Sequence, residues 1–249
     1  MSTRSPFRRA RLHVMLALAV CVTTAALLAA PGLAGAAPSP TELTVRAQKY
    51  TITWGANTVL TGTLMDLDTI TALGGLWVNV EWSATGSPAS WTLLSTVTTE
   101  TEAQYSTGQY TQVVQPRRLT HYRYVFLGTA AYAPEVSNTV IVKVRPFIGR
   151  PIVPKAVRAG RFFQVRGSLK PRFSAGAKTV RVRAYRRRGG TWVVAKRLRA
   201  TNVDTARYTR YQVTTRLTKK GTYRFRAFTP TMDGWAPGQS RFSRVLVVK

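Results

Sequence analysis

The sequence predicts an all-β protein made of two antiparallel sandwiches in tandem after an N-terminal export signal. Apolar and polar residues alternate with a period of two in several stretches, as in strands that bury one face. Turn signals rich in Gly and Pro separate these stretches, and no stretch after residue 36 holds a helical period. A set of aromatic and basic residues recurs at a constant spacing, which indicates an internal repeat.

The N-terminus has the pattern of a secretory signal. An apolar run over residues 12–30 is followed by small residues at 34–36, which match a cleavage site. The run is preceded by four basic residues and no acid: Arg4, Arg8, Arg9 and Arg11. We expect cleavage after about Ala36 and a secreted or cell-surface protein, with an uncleaved N-terminal anchor as the alternative. No later stretch has the length and apolarity of a membrane span.

The 213 residues after Ala36 limit the chemistry available to the protein. Cys21 is the single cysteine and lies in the predicted signal, so disulfides, thiol catalysis and thiolate metal ligands are excluded downstream. His121 is the one histidine after residue 36, and no motif completes a nucleophile–base pair. We therefore expect a non-catalytic protein without a cofactor, in two domains of about 100 residues each.

The chain after Ala36 repeats itself. Four residues recur at an offset of 101: Trp91, Tyr110, Tyr122 and Arg123 are matched by Trp192, Tyr211, Tyr223 and Arg224. Each copy also has alternating stretches typical of strands, at residues 77–82 in the first copy and at 180–184 and 223–227 in the second. These patterns predict two homologous domains, residues 37–145 and 146–249, with about seven short strands in each.

The two copies resemble a known family of repeats. The stretches that carry the resemblance are 59–62, the region of Trp91, 122–126, 132–134 and 137–140 in the first copy, and 175–176, 180–185, 191–193, 223–227 and 243–244 in the second. They are similar to the bacterial immunoglobulin-like repeats of secreted and cell-surface actinobacterial proteins. The resemblance covers essentially the whole chain after the signal and implies two tandem immunoglobulin-like antiparallel β-sandwiches. Such domains serve as spacers, adhesive modules and binding modules.

The positive charge lies almost entirely in the second copy. Residues 146–249 contain 26 Lys and Arg against two acids, a net charge of +24, whereas residues 37–145 contain seven of each sign. Net charge bears on partners and solubility rather than on fold. Mixed signs would serve for solubility alone, so this excess favours contact with a polyanion.

Seven arginines form the predicted polyanion-binding site. In an immunoglobulin-like sandwich the third and sixth strands are neighbours in one sheet, so arginines on both would share one open face. The Arg-rich turn after the third strand would extend this patch, with further basic residues on the next strand. Arginine suits bidentate capture of phosphate or carboxylate. The site comprises Arg181, Arg183, Arg224 and Arg226 on the strands and Arg186, Arg187 and Arg188 at the turn.

Two weaker candidate sites lie in the first copy. Trp54, Trp77 and Trp82 have no counterpart in the second copy and are candidates for carbohydrate stacking, with core or interface packing as the alternative. Asp66 and Asp68 have the spacing of a calcium loop, with a solvated loop as the alternative. No other metal site is expected.

These features predict an exported, non-catalytic binding or spacer module whose basic second domain contacts an anionic polymer of the cell envelope. Extracellular nucleic acid is an alternative polyanion, although the sequence has no recognised nucleic-acid motif. A protein partner, bound by an adhesin-like module, is the other alternative.

Overall fold

The computed structural model describes residues 36–102, 105–174, 176–232 and 234–249, so the predicted signal up to residue 35 lies outside the described residues. Ala37–Lys249 form one compact unit. Apart from one 3-10 turn at Pro88–Ser90, all regular elements of the described residues are strands, and the all-β class is confirmed. None of the described residues belongs to a helix with the length and apolarity needed to cross a membrane.

The first segment, residues 37–145, contains two packed sheets and a small hairpin. Its strands are β1 (Thr41–Leu43), β2 (Arg46–Ala47), β3 (Thr51–Thr53), β4 (Thr58–Asp66), β5 (Thr71–Ala72), β6 (Trp77–Ser83), β7 (Thr92–Thr98), β8 (Thr101–Glu102), β9 (Tyr105–Ser106), β10 (Gln109–Val114), β11 (Thr120–Phe126), β12 (Glu135–Val136) and β13 (Val140–Arg145). One sheet has the order β1–β4–β10, and the other β3–β13–β11–β6–β7. Leu60 and Leu64 from the first sheet meet Val80, Tyr124 and Val142 from the second in one hydrophobic core.

The second segment, residues 146–249, forms one sheet that folds over on itself. Its strands are β14 (Phe147–Ile148), β15 (Ala156–Val157), β16 (Phe162–Lys170), β17 (Val180–Arg188), β18 (Thr191–Asp204), β19 (Thr209–Arg216), β20 (Gly221–Thr229), β21 (Gly238–Gln239) and β22 (Leu246–Val248). The long strand β18 pairs with β17 through residues 191–200 and with β19 through 201–204. It thereby links two arms, whose inward side chains, such as Leu169 and Phe225, share one core.

The predicted antiparallel pairing holds for most of the chain. Two pairs are parallel instead: β3 with β13, and β15 with β22. In both pairs a short strand near the start of its segment lies beside the last strand of that segment, at the edge of a sheet.

The two segments have equivalent residues in equivalent registers. Tyr110 of β10 lies opposite Gly62 of β4, and Tyr211 of β19 lies opposite Gly167 of β16. Each tyrosine hydroxyl donates to a backbone carbonyl on a neighbouring stretch of its own segment. A Cβ at either glycine would overlap the tyrosine ring, so the close approach requires glycine.

Residues near the end of the second segment join the two segments. Trp235, which is 5% exposed, belongs to the hydrophobic core of the first segment. Its ring packs edge-on against Phe173, with ring centroids 5.2 Å apart. The backbone N–H of Ala236 donates to the carbonyl of Val144 at 2.9 Å. The segments therefore contact each other through the packing of Trp235 in the first core as well as through backbone hydrogen bonds.

Candidate functional site

Six arginines lie on the outward face of the three-stranded part β18–β17–β20. We call this surface the arginine face; it comprises Arg181, Arg183, Arg197, Arg199, Arg224 and Arg226. Their outward direction follows from the period of two, because the intervening Val182 and Phe225 are fully buried. The adjacency expected for the strands that hold Arg181 and Arg224 is confirmed by the antiparallel pairing of β17 with β20.

The arginines form rows that cross the strands. Arg183 lies directly opposite Arg197 of β18 on one side and Arg226 of β20 on the other. In the next row Arg181 lies opposite Arg199. Like charges directly opposite each other destabilise a sheet, so this arrangement raises the energy of the free protein unless anions lie against it.

No described carboxylate neutralises the arginine face. Asp204 at the far end of β18 is the one acid among the described residues of the second segment, and both its oxygens accept from Arg172 at 2.7 and 2.8 Å. Within the described residues, none of the six arginines has a carboxylate oxygen within 4.0 Å. The positive charge of the face is therefore open to an external anion.

Aromatic rings hold several of these guanidinium groups in place. Arg224 lies 4.2 Å from the ring centre of Trp192 and 3.6 Å from that of Phe242, which Arg226 also contacts at 4.5 Å. Arg183 stacks over Phe228 at 4.5 Å. Burial lowers the pKa of the Arg224 guanidinium, and the charge of Arg226 acts in the same direction. Arginine remains protonated in this setting, so the rings fix the position of a charge that they do not neutralise.

The first segment contains the neutralised counterpart of Arg224. Arg123 lies 4.3 Å from the ring centre of Trp91, and its Nε donates to Glu81 at 2.8 Å. Glu81 is the cross-strand partner of Arg123, and Tyr185 occupies the same register opposite Arg224. The second segment thus retains the Trp–Arg stack but has a tyrosine in place of the carboxylate.

The most accessible part of the arginine face is a shallow groove across β17 and β18. Arg181, Arg197 and Arg199 are exposed and line this groove, whose volume is about 470 Å³. The stacked Arg183 lies at its side. This arrangement presents several guanidinium groups to an extended ligand rather than enclosing a small molecule.

The predicted patch at residues 186–188 is divided between two sides of the sheet. Strand β17 continues through Arg188, so consecutive residues alternate in direction. Arg187 lies opposite Trp192, on the side of the arginine face. Arg186 and Arg188 line a depression of about 610 Å³ on the other side, and Arg186 donates to the Lys220 carbonyl at 2.6 Å. The expectation that the whole Arg-rich stretch extends one face is therefore wrong.

A second set of basic residues lies on the outer face of the other arm, strands β16 and β19. Arg150, Arg166, Lys170 and Arg210 line a depression of about 560 Å³ there. The sequence prediction missed this set, although Arg166 alternates with buried Val165 in the same pattern as the arginines of β17. The charge of the second segment is consequently not confined to one surface.

The three tryptophans proposed for carbohydrate contact do not form one platform. Trp77 is 76% exposed and points outward from the start of β6. Trp82, at the far end of that strand, lies on the same side as buried Val80 and is 38% exposed. Trp54 packs, partly buried, against the core of the first segment. The structure thus separates the three indole rings.

Asp66 is used within its own loop. It is 5% exposed; its two oxygens accept from the backbone N–H of Asp68 at 2.9 Å and from the Thr69 hydroxyl at 2.8 Å. Asp68 is exposed. Across the residues that the structure describes, no group of three or more His, Cys, Asp or Glu could hold a metal ion.

Comparison with known proteins assigns the chain to no family. No family model and no curated protein matches the sequence. Among solved structures 282 chains match. One is red sea bream transglutaminase, with a TM-score of 0.40 and 9% identity over 84% of this chain. The chain spans 31% of the length of that protein.

Proposed function

We propose that the chain is an exported, non-catalytic binding module of two tandem immunoglobulin-like β-sandwiches, residues 37–145 and 146–249. The second sandwich contacts an anionic polymer of the cell envelope through the arginine face. The near-neutral first sandwich acts as a spacer or interaction module.

The matching registers of the two segments support the tandem arrangement. In both, a tyrosine lies opposite a glycine and an arginine stacks on a tryptophan. Both also have a bulge at the same point of the sheet, after Val80 in β6 and after Ala184 in β17. Such agreement is expected of two copies of one unit.

The observation that carries the proposed function is the row Arg197–Arg183–Arg226. The equivalent row of the first segment is Thr96–Asn79–Val125, in the same register and without charge. The fold therefore does not require charge at these positions. A row of opposed arginines raises the energy of the sheet, and the protein recovers this energy when an anion binds.

The proposed binding mechanism is multivalent pairing between guanidinium groups and the anions of the polymer. Exposed Arg181, Arg197 and Arg199 approach the polymer directly, while the stacked Arg183 and Arg226 add fixed charges beside them. Arginine forms paired hydrogen bonds to phosphate or carboxylate oxygens. Each pairing releases condensed counterions, so affinity falls steeply with salt.

The experiment is a salt-graded sedimentation assay of the chain Ala37–Lys249 with isolated envelope polymers. The variant R181S/R199S removes two exposed, directly opposed arginines of the groove. We expect it to bind at least about tenfold more weakly at physiological salt and to reduce the slope of log affinity against log salt by about two. The matched control R158S/R161S removes two exposed arginines from the turn before β16 and should change affinity much less.

Two results would contradict the proposal. One is retention on the polymer that is unchanged in about 1 M salt, where the Debye length is about 3 Å. The other is an equal loss of affinity in both variants, which would assign binding to net charge alone. Competition with duplex DNA provides a further comparison: displacement by DNA at lower phosphate concentrations than by the polymer would identify nucleic acid as the partner.

A further inference from the structure

We propose that the second sandwich binds two polymer chains at once, one on each outer face, and so cross-links the polymer. This inference rests on the proposed function and extends it from retention to bridging. The second face is the outward side of β16 and β19, which we call the opposite face; it comprises Arg150, Arg166, Lys170 and Arg210.

The two faces point away from each other. The inward side chains of β16 and β19, including Val165 and Tyr211, share one core with Val182 of β17 and Phe225 of β20. The rings of Phe163 and Phe225 meet across this core, with centroids 6.0 Å apart. Because both arms bury their inward sides in the same core, their outward sides face solvent on opposite surfaces of the sandwich.

The opposite face is basic, like the arginine face. Arg150, Arg166 and Lys170 are exposed, and no acidic residue occurs in β16 or β19. Arg210 lies opposite Ser168 in the register of these strands. The open groove between them again fits an extended polyanion better than an enclosed small molecule.

The first segment has uncharged residues at two equivalent positions of this face. Alignment on the Tyr–Gly pairs matches Arg166 with Thr61 and Arg210 with Gln109. In the first segment, exposed Arg46 lies opposite Thr61 and exposed Glu42 lies opposite Met65, so that face carries both signs of charge. In the second segment, β16 and β19 carry basic residues without an acid. A single binding face would not account for the basic residues of β16 and β19.

The two faces act independently in their electrostatics. Packed sheets lie about 10 Å apart, and side chains extend outward from each, so the two layers of charge are separated by more than the Debye length of about 8 Å at physiological salt. A polymer that neutralises one face therefore leaves the field of the other face largely intact. The occupied sandwich still attracts a second chain.

A two-step capture assay tests this inference. Beads carrying inorganic polyphosphate are loaded with the chain Ala37–Lys249 and washed, and soluble fluorescent polyphosphate is then added. We expect the loaded beads to recruit the labelled polymer. A parallel series with polygalacturonate tests whether carboxylate groups serve in place of phosphate.

Two face variants and one control separate bridging from binding. R181S/R197S/R199S and R150S/R166S/K170S each remove three exposed cations from one face, and R158S/R161S/K220S removes three exposed cations from turns. We expect each face variant to load onto the beads through its intact face and to recruit at least about fivefold less labelled polymer per bound protein. The control should recruit as much as the unchanged protein. Urea denaturation of every variant verifies that it is folded.

Each outcome decides between the two proposals. If the unchanged protein loads but recruits no labelled polymer, or if a face variant recruits fully, bridging is refuted while the proposed function stands. Recruitment that rises with the square of the bound protein would indicate bridging by self-association and would also refute the two-face assignment. If the unchanged protein fails to load on both polymers, the proposed function itself fails.

Discussion

At the scale of single residues, Tyr185 determines whether the charge of Arg224 is available. In the first segment the equivalent position is Glu81, which accepts from Arg123 and neutralises it. Tyr185 instead packs edge-on against Phe242, with centroids 5.3 Å apart, and Phe242 in turn contacts Arg224. The replacement of a carboxylate by aromatic packing holds the guanidinium in position and keeps its positive charge.

Tyr185→Glu should therefore weaken polymer binding although no cation is removed. The new carboxylate lies opposite Arg224 and pairs with it, as Glu81 pairs with Arg123. We expect the salt slope of binding to fall by about one, with a fewfold loss of affinity. The control Tyr185→Phe keeps the ring and should bind like the unchanged protein. Equal binding by the two variants, measured by sedimentation with the polymer, would show that Arg224 does not contribute.

The buried tyrosines predict a loss of stability at alkaline pH. Burial raises the pKa of Tyr110, Tyr124 and Tyr211, and raises that of Tyr122 to about 12. An exposed tyrosine in the unfolded chain ionises near pH 10. Above that pH the unfolded state has lost protons that the folded state retains, so the free energy of unfolding falls as pH rises.

The expected slope is about 1.4 kcal/mol per pH unit for each tyrosine that stays protonated in the folded state. Urea denaturation at a series of pH values from about 8 to 11 measures it. Tyr211→Phe should reduce the slope by the contribution of one tyrosine, although it also removes the hydrogen bond to the Gly149 carbonyl and lowers stability at every pH. A free energy of unfolding that is constant up to about pH 11 would contradict the burial argument.

At the scale of strands, the pairing of β17 with β20 was predicted better than the end of β17. The strand order of the immunoglobulin-like repeats that the sequence resembles implies that these two strands are neighbours, and they do pair. The predicted end of β17, before Arg186, was wrong. The hairpin turn consists of Gly189 and Gly190 alone, both with positive φ, so the residues before it stay in the strand. The three arginines before this turn remain in the strand and alternate between its sides.

The length of β18 is a second feature that local pattern does not contain. It continues past Ala200 to pair with β19, whereas its counterpart β7 ends at Thr98. In the first segment the hydroxyl of Thr99 accepts from the backbone N–H of Leu76. The difference in length between β18 and β7 depends on which distant strand each one pairs with. Period-two alternation within a strand does not identify that partner.

The rows of the arginine face predict a stabilising substitution. Arg197→Thr introduces the residue found at the equivalent position, Thr96, and removes one of two like charges that flank Arg183. We expect it to raise the free energy of unfolding by about 0.5 kcal/mol at low salt and to lower polymer affinity. The gain should disappear near 1 M salt because screening removes the repulsion. The control Arg161→Thr, on an exposed turn, should show no such gain, and a gain that is unaffected by salt would contradict repulsion as the cause.

At the scale of the whole molecule, the sequence gives the amount of charge correctly but not its distribution. The net charge of +24 in residues 146–249 follows from a count, whereas the arginines of β17 and β20 by themselves predict a single basic face. The fold places basic residues on both outer faces because β16 and β19 alternate in the same way as β17 and β20. Alternation alone does not place Arg166 and Arg210 on one face. The pairing of Gly167 with Tyr211 is also needed, because it aligns β16 with β19.

If charge is independent of the fold, the arginine row should be transferable to the first segment. The triple variant N79R/T96R/V125R builds it at the equivalent outward positions, in the same three-strand register. Introduced into R181S/R199S, it should restore affinity for the polymer and increase the salt slope by about two to three. The control Q48R/N57R/T92R adds three charges at exposed positions outside this row. Sedimentation at graded salt compares the two; equal recovery would mean that total charge, rather than the row of arginines, determines binding.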